Sequence, residues 1–96
     1  MTKSPALKVK VENMLSHAGR EVPNQFIIRT DKGTYFQSYD SVIAYQPHGG
    51  QTVLDVNMWD YSVTTGKYRN KFLGENTAET RQKISNGTYA VADLNN

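Results

Sequence analysis

The chain has 96 residues, 38% of them hydrophobic and 10% aromatic, which suits one domain with a modest core. It contains no cysteine, and this excludes disulfides, thiol chemistry and zinc sites built from cysteine. The formal net charge is only +2, so the overall composition is not that of a nucleic-acid-binding protein.

The charges are distributed unevenly along the chain. Five cations stand against two acids over 1–30, one against four over 31–60, and five against three over 61–96. One basic face is compatible with this distribution, although a mixed solvated surface is the simpler interpretation. No apolar run approaches the roughly 20 residues of a membrane helix, and the N-terminal residues lack the apolar segment of a signal peptide. The sequence predicts a soluble, cytoplasmic protein that does not enter a membrane.

The first segment has two interpretations. Proline at the first helical position and apolar residues four, seven and eight places after Leu7 favour a helix that ends at Gly19. The alternation of Leu7, Val9 and Val11 with charged residues favours a strand. The length of the run, without an internal turn, favours the helix. Residues 1–13 are expected to be a peripheral extension or helix.

The middle of the chain predicts consecutive strands. Strand-like runs at 25–30 and 34–39 flank the turn residues 31–33, which is a strong hairpin signal. Two more strands are predicted at 41–45 and 51–56, with a glycine-containing loop between them. Strands joined by such tight connections indicate an antiparallel meander with one face that must be covered.

Two helices and a last strand follow the meander. A helix is predicted over 62–73, since Ser62 is placed to cap its first turn and Gly74 to end it. Asn76 and Glu79 have the spacing of a capping box, which predicts a second, more peripheral helix at 76–86. Residues 89–94 are expected to form a strand at the edge of the sheet.

The predicted fold is therefore α+β. A single domain over 1–96 is expected to contain an antiparallel sheet of four or five strands, with two or three helices packed on one face. There is no internal repeat and no linker. The predicted edge strand is compatible with a monomer or a homodimer.

The predicted helices carry the cations of a candidate nucleic-acid-binding site. Its residues are Lys67, Tyr68, Arg69, Lys71, Arg81 and Lys83. Cations of this kind contact phosphates, while an aromatic ring stacks on bases. The alternative is that Tyr68 belongs to the core and the cations are a solvated face.

Aromatic residues in the sheet form a second candidate surface. Because successive side chains of a strand alternate between faces, Tyr35 faces away from the core if Phe36 faces it. Exposed aromatic residues are favoured anchors for protein partners, so Tyr35, Tyr39 and Tyr45 are candidate contacts for a protein. Buried rings with solvated hydroxyl groups are the alternative.

No pattern in the sequence predicts catalysis. Residues 64–67, Thr-Thr-Gly-Lys, are similar to the end of a phosphate-binding loop, but Asp60 replaces its upstream glycine. Only one set of residues suggests metal ligands, namely His48, Asp55, Asn57 and Asp60. No pattern in the sequence places His48 near Asp60. The sequence predicts no enzyme, no cofactor and no metal site.

Three motifs carry a resemblance to a group of proteins. They are Asn-Gln-Phe at 24–26, Tyr-Phe-Gln-Ser-Tyr-Asp-Ser-Val-Ile-Ala at 35–44, and Trp-Asp-Tyr-Ser-Val-Thr-Thr-Gly-Lys-Tyr-Arg-Asn-Lys-Phe-Leu-Gly at 59–74. Over about 14–95 the chain resembles small uncharacterised proteins encoded by bacteriophages and other mobile elements. The resemblance implies a phage origin and a setting in the cytoplasm of the infected bacterium. It brings no activity, ligand or catalytic residue.

The expected function is a non-enzymatic binding module of phage type, with two hypotheses for its partner. In the first, the basic helix binds nucleic acid, which predicts an affinity that falls steeply with salt. In the second, the protein is an accessory factor that binds and inhibits a host protein, such as a defence factor, through an aromatic face of the sheet. That hypothesis predicts weak salt dependence. A third alternative is a small hydrolase or nucleotide binder, which requires a defined pocket containing Thr65, Lys67 or His48.

Overall fold

The computed structural model describes residues 8–96 and contains one sheet and two helices. In chain order the elements are β1 (Lys10–Leu15), β2 (Glu21–Arg29), β3 (Gly33–Ser38), β4 (Ser41–Pro47), β5 (Val53–Asp55), α1 (Val63–Leu73), α2 (Thr77–Ser85) and β6 (Ala90–Ala92). The strands lie side by side in that same order. Neighbouring strands are antiparallel except for β5 and β6, which are parallel because both helices lie between them in the chain. The α+β fold and the predicted meander are confirmed.

The helix predicted to end at Gly19 is wrong within the described residues. Residues 10–15 form β1, whose Lys10 lies opposite Arg29 of β2. Pairing with β2 satisfies backbone N–H and C=O groups of both strands. The alternation of apolar and charged residues, which favoured a strand, therefore gives the correct structure. The sheet therefore has six strands, where four or five were predicted. The part of the predicted extension that falls on 1–7 lies outside the described residues.

The core lies between one face of the sheet and the helices. Its buried apolar members are Met14, Phe36, Ile43, Ala44, Leu54 and Tyr68. Phe36 of β3 stacks on Phe72 of α1, with 5.7 Å between ring centroids. Beside them the hydroxyl groups of Ser38 and Thr65 form a buried hydrogen bond of 2.8 Å. These contacts fix α1 across β3, and burial of each large side chain contributes about 1.5–3 kcal/mol.

The helix ends follow the predicted capping pattern. Ser62 accepts a hydrogen bond from the backbone N–H of Thr65 at 3.1 Å, and Gly74 ends α1 in the left-handed conformation, with φ of 72°. Asn76 and Glu79 form the capping box at the start of α2. In residues 8–96 neither helix is long and apolar enough to cross a membrane.

Candidate protein-binding surface

One face of the sheet is not covered by the helices. Phe36, Ala44 and Leu54 point towards the helices and belong to the core. Their neighbours along the strands, Tyr35, Tyr45 and Val53, therefore point the opposite way. We call this side the outer face, and its apolar row consists of Val11, Phe26, Ile28, Tyr35, Tyr45 and Val53. Within the described chain, no member of this row belongs to the core cluster or to the partly buried residues packed against it.

The strand register aligns five of the six members across the sheet, and Phe26 lies beside Ile28 on β2. Val11 lies opposite Ile28, Ile28 opposite Tyr35, Tyr35 opposite Tyr45, and Tyr45 opposite Val53. Directly opposed side chains on one face are close enough to contact each other. The row thus crosses five neighbouring strands, from β1 to β5.

Tyr35 and Tyr45 are the centre of this row. Their rings stack with 4.2 Å between centroids and 18° between planes. The hydroxyl group of Tyr45 donates a hydrogen bond to the carbonyl of Lys32 at 3.2 Å. Gly33 allows this packing, because a Cβ atom there would lie 2.7 Å from the Tyr45 ring and 2.5 Å from the carbonyl of Gln46. The pair is therefore held in place before any partner binds.

Tyr39, the third predicted contact residue, lies apart from this pair. It occupies the turn between β3 and β4 with φ of 57° and is 45% exposed. It follows Tyr35 by four residues, which corresponds to about 13 Å along an extended strand. The structure thus brings together two of the three predicted tyrosines.

The outer face has no formal charge along its apolar row. All six members are uncharged; Val11 at the β1 end is 58% exposed, and the other five are half-buried. Contiguous apolar surface on one face of a sheet can serve as a contact site for another molecule. The arrangement suits association with an apolar protein surface, with the tyrosine hydroxyl groups at its centre.

Two of the predicted nucleic-acid contacts are inside the protein. Arg69 is fully buried and donates hydrogen bonds to the Trp59 carbonyl at 2.6 Å, the Asp60 carboxylate at 3.1 Å and the Thr77 hydroxyl at 2.7 Å. Tyr68 is 6% exposed and belongs to the core, as the alternative interpretation had it. Neither side chain is therefore accessible to a ligand at the protein surface.

The two cations of α2 are paired with carboxylates. Lys83 contacts Glu75 at 2.7 Å, and Arg81 contacts Asp60 at 3.3 Å. The Arg81 guanidinium also lies over the ring of Trp59, 5.6 Å from its centroid. These pairs reduce the positive potential that α2 presents to solvent.

The two lysines of α1 are more accessible. Lys67 is exposed, and its ammonium group lies 5.4 Å from the ring centroid of Tyr68. Lys71 is also exposed and donates a hydrogen bond to the Leu15 carbonyl. Within residues 8–96, neither lysine takes part in a salt bridge. Of the six predicted nucleic-acid contacts, Lys67 and Lys71 therefore carry the positive charges that nearby carboxylates neutralise least.

Glu75, in the turn between α1 and α2, lies in a closed polar cluster with two residues of α2 and with Tyr89 just before β6. Its carboxylate accepts hydrogen bonds from Thr80 at 2.6 Å, Lys83 at 2.7 Å and Tyr89 at 2.8 Å. Burial raises the pKa of Glu75, but the hydrogen bonds from Lys83, Thr80 and Tyr89 outweigh it and lower the pKa below its ordinary value. These three hydrogen bonds join the carboxylate to α2 and to the residue before β6, so the cluster serves the structure.

The residues singled out as metal ligands have other roles. Asp55 is buried and accepts hydrogen bonds from three backbone N–H groups, including that of Leu94 at 2.7 Å. Asp60 is paired with two arginines, and His48 is exposed in the loop after β4. Among the residues that the structure describes, no group of three or more His, Cys, Asp or Glu side chains is placed to hold a metal ion.

Sequence reasoning missed four members of the outer row. Val11, Phe26, Ile28 and Val53 share the face of the stacked tyrosines. The alternation that placed Phe36 in the core also assigns Phe26 and Ile28 to one common face. The strand register was needed to join that face to the tyrosines.

Comparison with known proteins gives a family without an assigned activity. A model for a family of unknown function, DUF8033, matches residues 9–87. No curated protein and no solved structure matches the chain.

Proposed function

The chain belongs to the DUF8033 family, and we propose that it is a non-enzymatic binding module whose outer face associates with another protein. The observation that carries the proposal is the continuous apolar row across five strands, with the stacked Tyr35 and Tyr45 at its centre. A face of this kind has no role in covering the core, which lies on the other side of the sheet.

The tyrosine pair supplies the properties of a binding anchor. Tyrosine buries a large ring and has only two side-chain torsions to fix, so ordering it costs little entropy. The stack and the hydrogen bond to the Lys32 carbonyl reduce that cost further, because Tyr45 is already ordered in the free protein. Central aromatic anchors of protein interfaces contribute about 2 kcal/mol or more to binding.

The resemblance to phage and mobile-element proteins extends the proposal to a biological role. The protein acts as a phage-encoded accessory factor in the cytoplasm of the infected bacterium. It binds and inhibits a host protein, of which a defence factor is one class. The uncharged row supports an association that is weakly dependent on salt.

The test removes the aromatic anchor and keeps the fold. We expect the intact protein to retain a specific partner from bacterial lysate, and the Tyr35→Ser, Tyr45→Ser double variant to lose it. With the purified partner, the dissociation constant should rise by about 30-fold or more. The matched control is Val63→Ser, which removes an apolar side chain that is 92% exposed at the start of α1. A partner that binds the tyrosine variant as tightly as the control would overturn the proposal, provided that circular dichroism shows both to be folded.

Nucleic-acid binding remains a second proposal on a smaller surface. Lys67 and Lys71 support it, because both are exposed and neither is paired with a carboxylate in the described residues. Binding to labelled single-stranded and duplex DNA should then fall steeply with salt and disappear in the Lys67→Glu, Lys71→Glu variant. Unchanged binding in that variant, or none at low salt, would eliminate this function.

A further inference from the structure

We propose that the open edge of β1 binds an extended segment of a partner protein as an added antiparallel strand, and that this segment alternates acidic and apolar residues. The inference deepens the proposed function, since it rests on a protein partner and specifies the chemistry of one contact. It concerns the β1 edge of the sheet, which shares Val11 with the outer row but does not include the tyrosine pair.

The first observation is the edge itself. Within residues 8–96, β1 pairs only with β2, so one side of β1 has no neighbouring strand. β1 has six residues, whereas β6 at the opposite edge has three. A free strand edge presents backbone N–H and C=O groups that pair readily with an extended peptide. The longer edge gives such a peptide more hydrogen-bonding positions.

The second observation is the charge on the helix-covered side of this edge. Lys10 and Glu12 point to that side, where Glu12 is already paired with Arg29 at 2.7 Å. A groove of about 510 Å³ lies there between β1 and the end of α1, with Arg29 and Lys71 among its lining residues. On this side of the edge, Lys10, Arg29 and Lys71 outnumber the carboxylate of Glu12. An added strand with carboxylates on this side would be attracted, and one with lysines would be repelled.

The third observation is the apolar character of the other side of the same edge. Val11 of β1 points to the outer face and is 58% exposed, and Val9, just before the strand, is 50% exposed. Apolar side chains of an added strand would lie beside them and cover them. Burial of that surface is favourable by about 25 cal/mol for each Å². The two sides of β1 together select a segment in which acidic and apolar residues alternate.

A second copy of the chain is the competing occupant. If two β1 strands paired antiparallel about Val11, Lys10 of each would face Glu12 of the other. Glu12 is already engaged by Arg29 in the same chain, so this pairing offers Lys10 a carboxylate that is already neutralised. A partner with its own free carboxylates is the better complement.

The experiment uses the intact chain and two labelled synthetic octapeptides, one alternating valine with glutamate and the other valine with lysine. Fluorescence anisotropy should show that the glutamate peptide binds at least about tenfold more tightly than the lysine peptide. This difference in affinity should shrink with added salt. Changes in backbone amide NMR shifts should be concentrated in β1. Lys8 is exposed and lies two residues before Lys10 in the chain. The Lys8→Glu, Lys10→Glu variant should reverse the preference towards the lysine peptide.

The matched control is Arg20→Glu, Lys32→Glu, which makes the same change in net charge at exposed positions of two turns. It should keep the preference for the glutamate peptide. Equal affinity for the two peptides, or shift changes located away from β1, would overturn the proposal. A homodimer that sedimentation detects without peptide, and that Val11→Lys dissociates, would assign the edge to a second copy and also overturn it.

The edge and the outer face are tested separately. The Tyr35→Ser, Tyr45→Ser variant should bind the glutamate peptide as the intact chain does. If the peptides fail and the tyrosine-dependent partner is still retained, only the edge proposal is wrong. If the peptide binds and no partner depends on the tyrosines, only the outer-face proposal is wrong.

Discussion

At the scale of single residues, Arg69 shows how a cation becomes part of the interior. Its guanidinium is fully buried, lies 5.1 Å from the ring centroid of Trp59, and joins the loop before α1 to Thr77 of α2. Arginine suits this place because its planar group directs several donors at once. A helix pattern shows which residues share a side, but it does not show that a distant loop will supply acceptors for one of them. This is why the sequence could not distinguish Arg69 from the exposed Lys67.

Replacing Arg69 should therefore destabilise the protein strongly. Arg69→Met leaves the Trp59 carbonyl and the Thr77 hydroxyl without their donor, and we expect the free energy of unfolding to fall by about 3 kcal/mol. Urea denaturation measures this change. Lys67→Met, in the same helix but exposed, should change it by less than about 0.5 kcal/mol. Equal effects of the two substitutions would contradict the role of Arg69 described above.

Glu75 should make stability depend on pH in the acid range. Its pKa is lower in the folded protein than the ordinary value of 4.5, so the carboxylate stabilises the fold above that pH, and the contribution is lost as pH falls through the folded pKa. The difference in unfolding free energy between the intact protein and Glu75→Gln should be constant from pH 7 to about pH 5 and should then shrink. Thermal unfolding over a pH series measures it. Glu21→Gln, an exposed control, should give no comparable loss, and a difference that grows on acidification would exclude the proposed sign.

At the scale of elements, the start of α1 depends on one side chain. Ser62 accepts from the Thr65 N–H, and its own hydroxyl donates to the Thr65 hydroxyl at 3.1 Å. Ser62→Ala should lower the free energy of unfolding by about 1 kcal/mol, because a terminal N–H loses its acceptor. Thr64→Ala, at an exposed position in the first turn, is the control for denaturant unfolding. A loss in the control as large as that in Ser62→Ala would mean that capping is not the cause.

The elements also show where a local pattern is ambiguous. Capping signals at Ser62, Gly74 and Asn76 are short-range, and they predicted both helices with nearly correct ends. The helix predicted for the N-terminal run was wrong because the apolar spacing of that run fits both a helix and a strand, and Gly19 can end either one. The N–H of Ser16 bonds to the Arg20 carbonyl at 2.7 Å, which joins β1 to β2 in a hairpin. Without that turn in view, the apolar spacing fits a helix.

At the scale of the whole molecule, Asp55 connects the end of the chain to the sheet. It accepts the N–H of Leu94 just after β6, besides two N–H groups of its own turn. Asp55→Ala leaves three donors without their acceptor and should lower the free energy of unfolding by about 2–3 kcal/mol. Hydrogen exchange should accelerate over 90–95 more than in β2. Asp40→Ala, in an exposed turn, should leave that exchange unchanged, and uniform acceleration in Asp55→Ala would show that β6 is not selectively released.

The sequence did not predict that β6 runs parallel to β5. The meander follows from hairpin signals between residues that are close in the chain, and the edge position of the last strand was also predicted. Whether that strand runs parallel or antiparallel to β5 depends on where two helices return the chain. The outer row could not be predicted for a similar reason. Alternation assigns the residues of each strand to one face, but only the long-range register aligns these residues into one surface.

The position of Trp59 gives the protein an intrinsic optical signal for helix packing. It is the single tryptophan of the chain, and it lies against the buried Arg69 and beneath Arg81 of α2. Its fluorescence therefore reports whether the helices remain packed. The proposed partner binds on the opposite side of the sheet, at Tyr35 and Tyr45. Loss of helix packing can therefore be followed by fluorescence in the unlabelled protein, at a site away from the proposed interface.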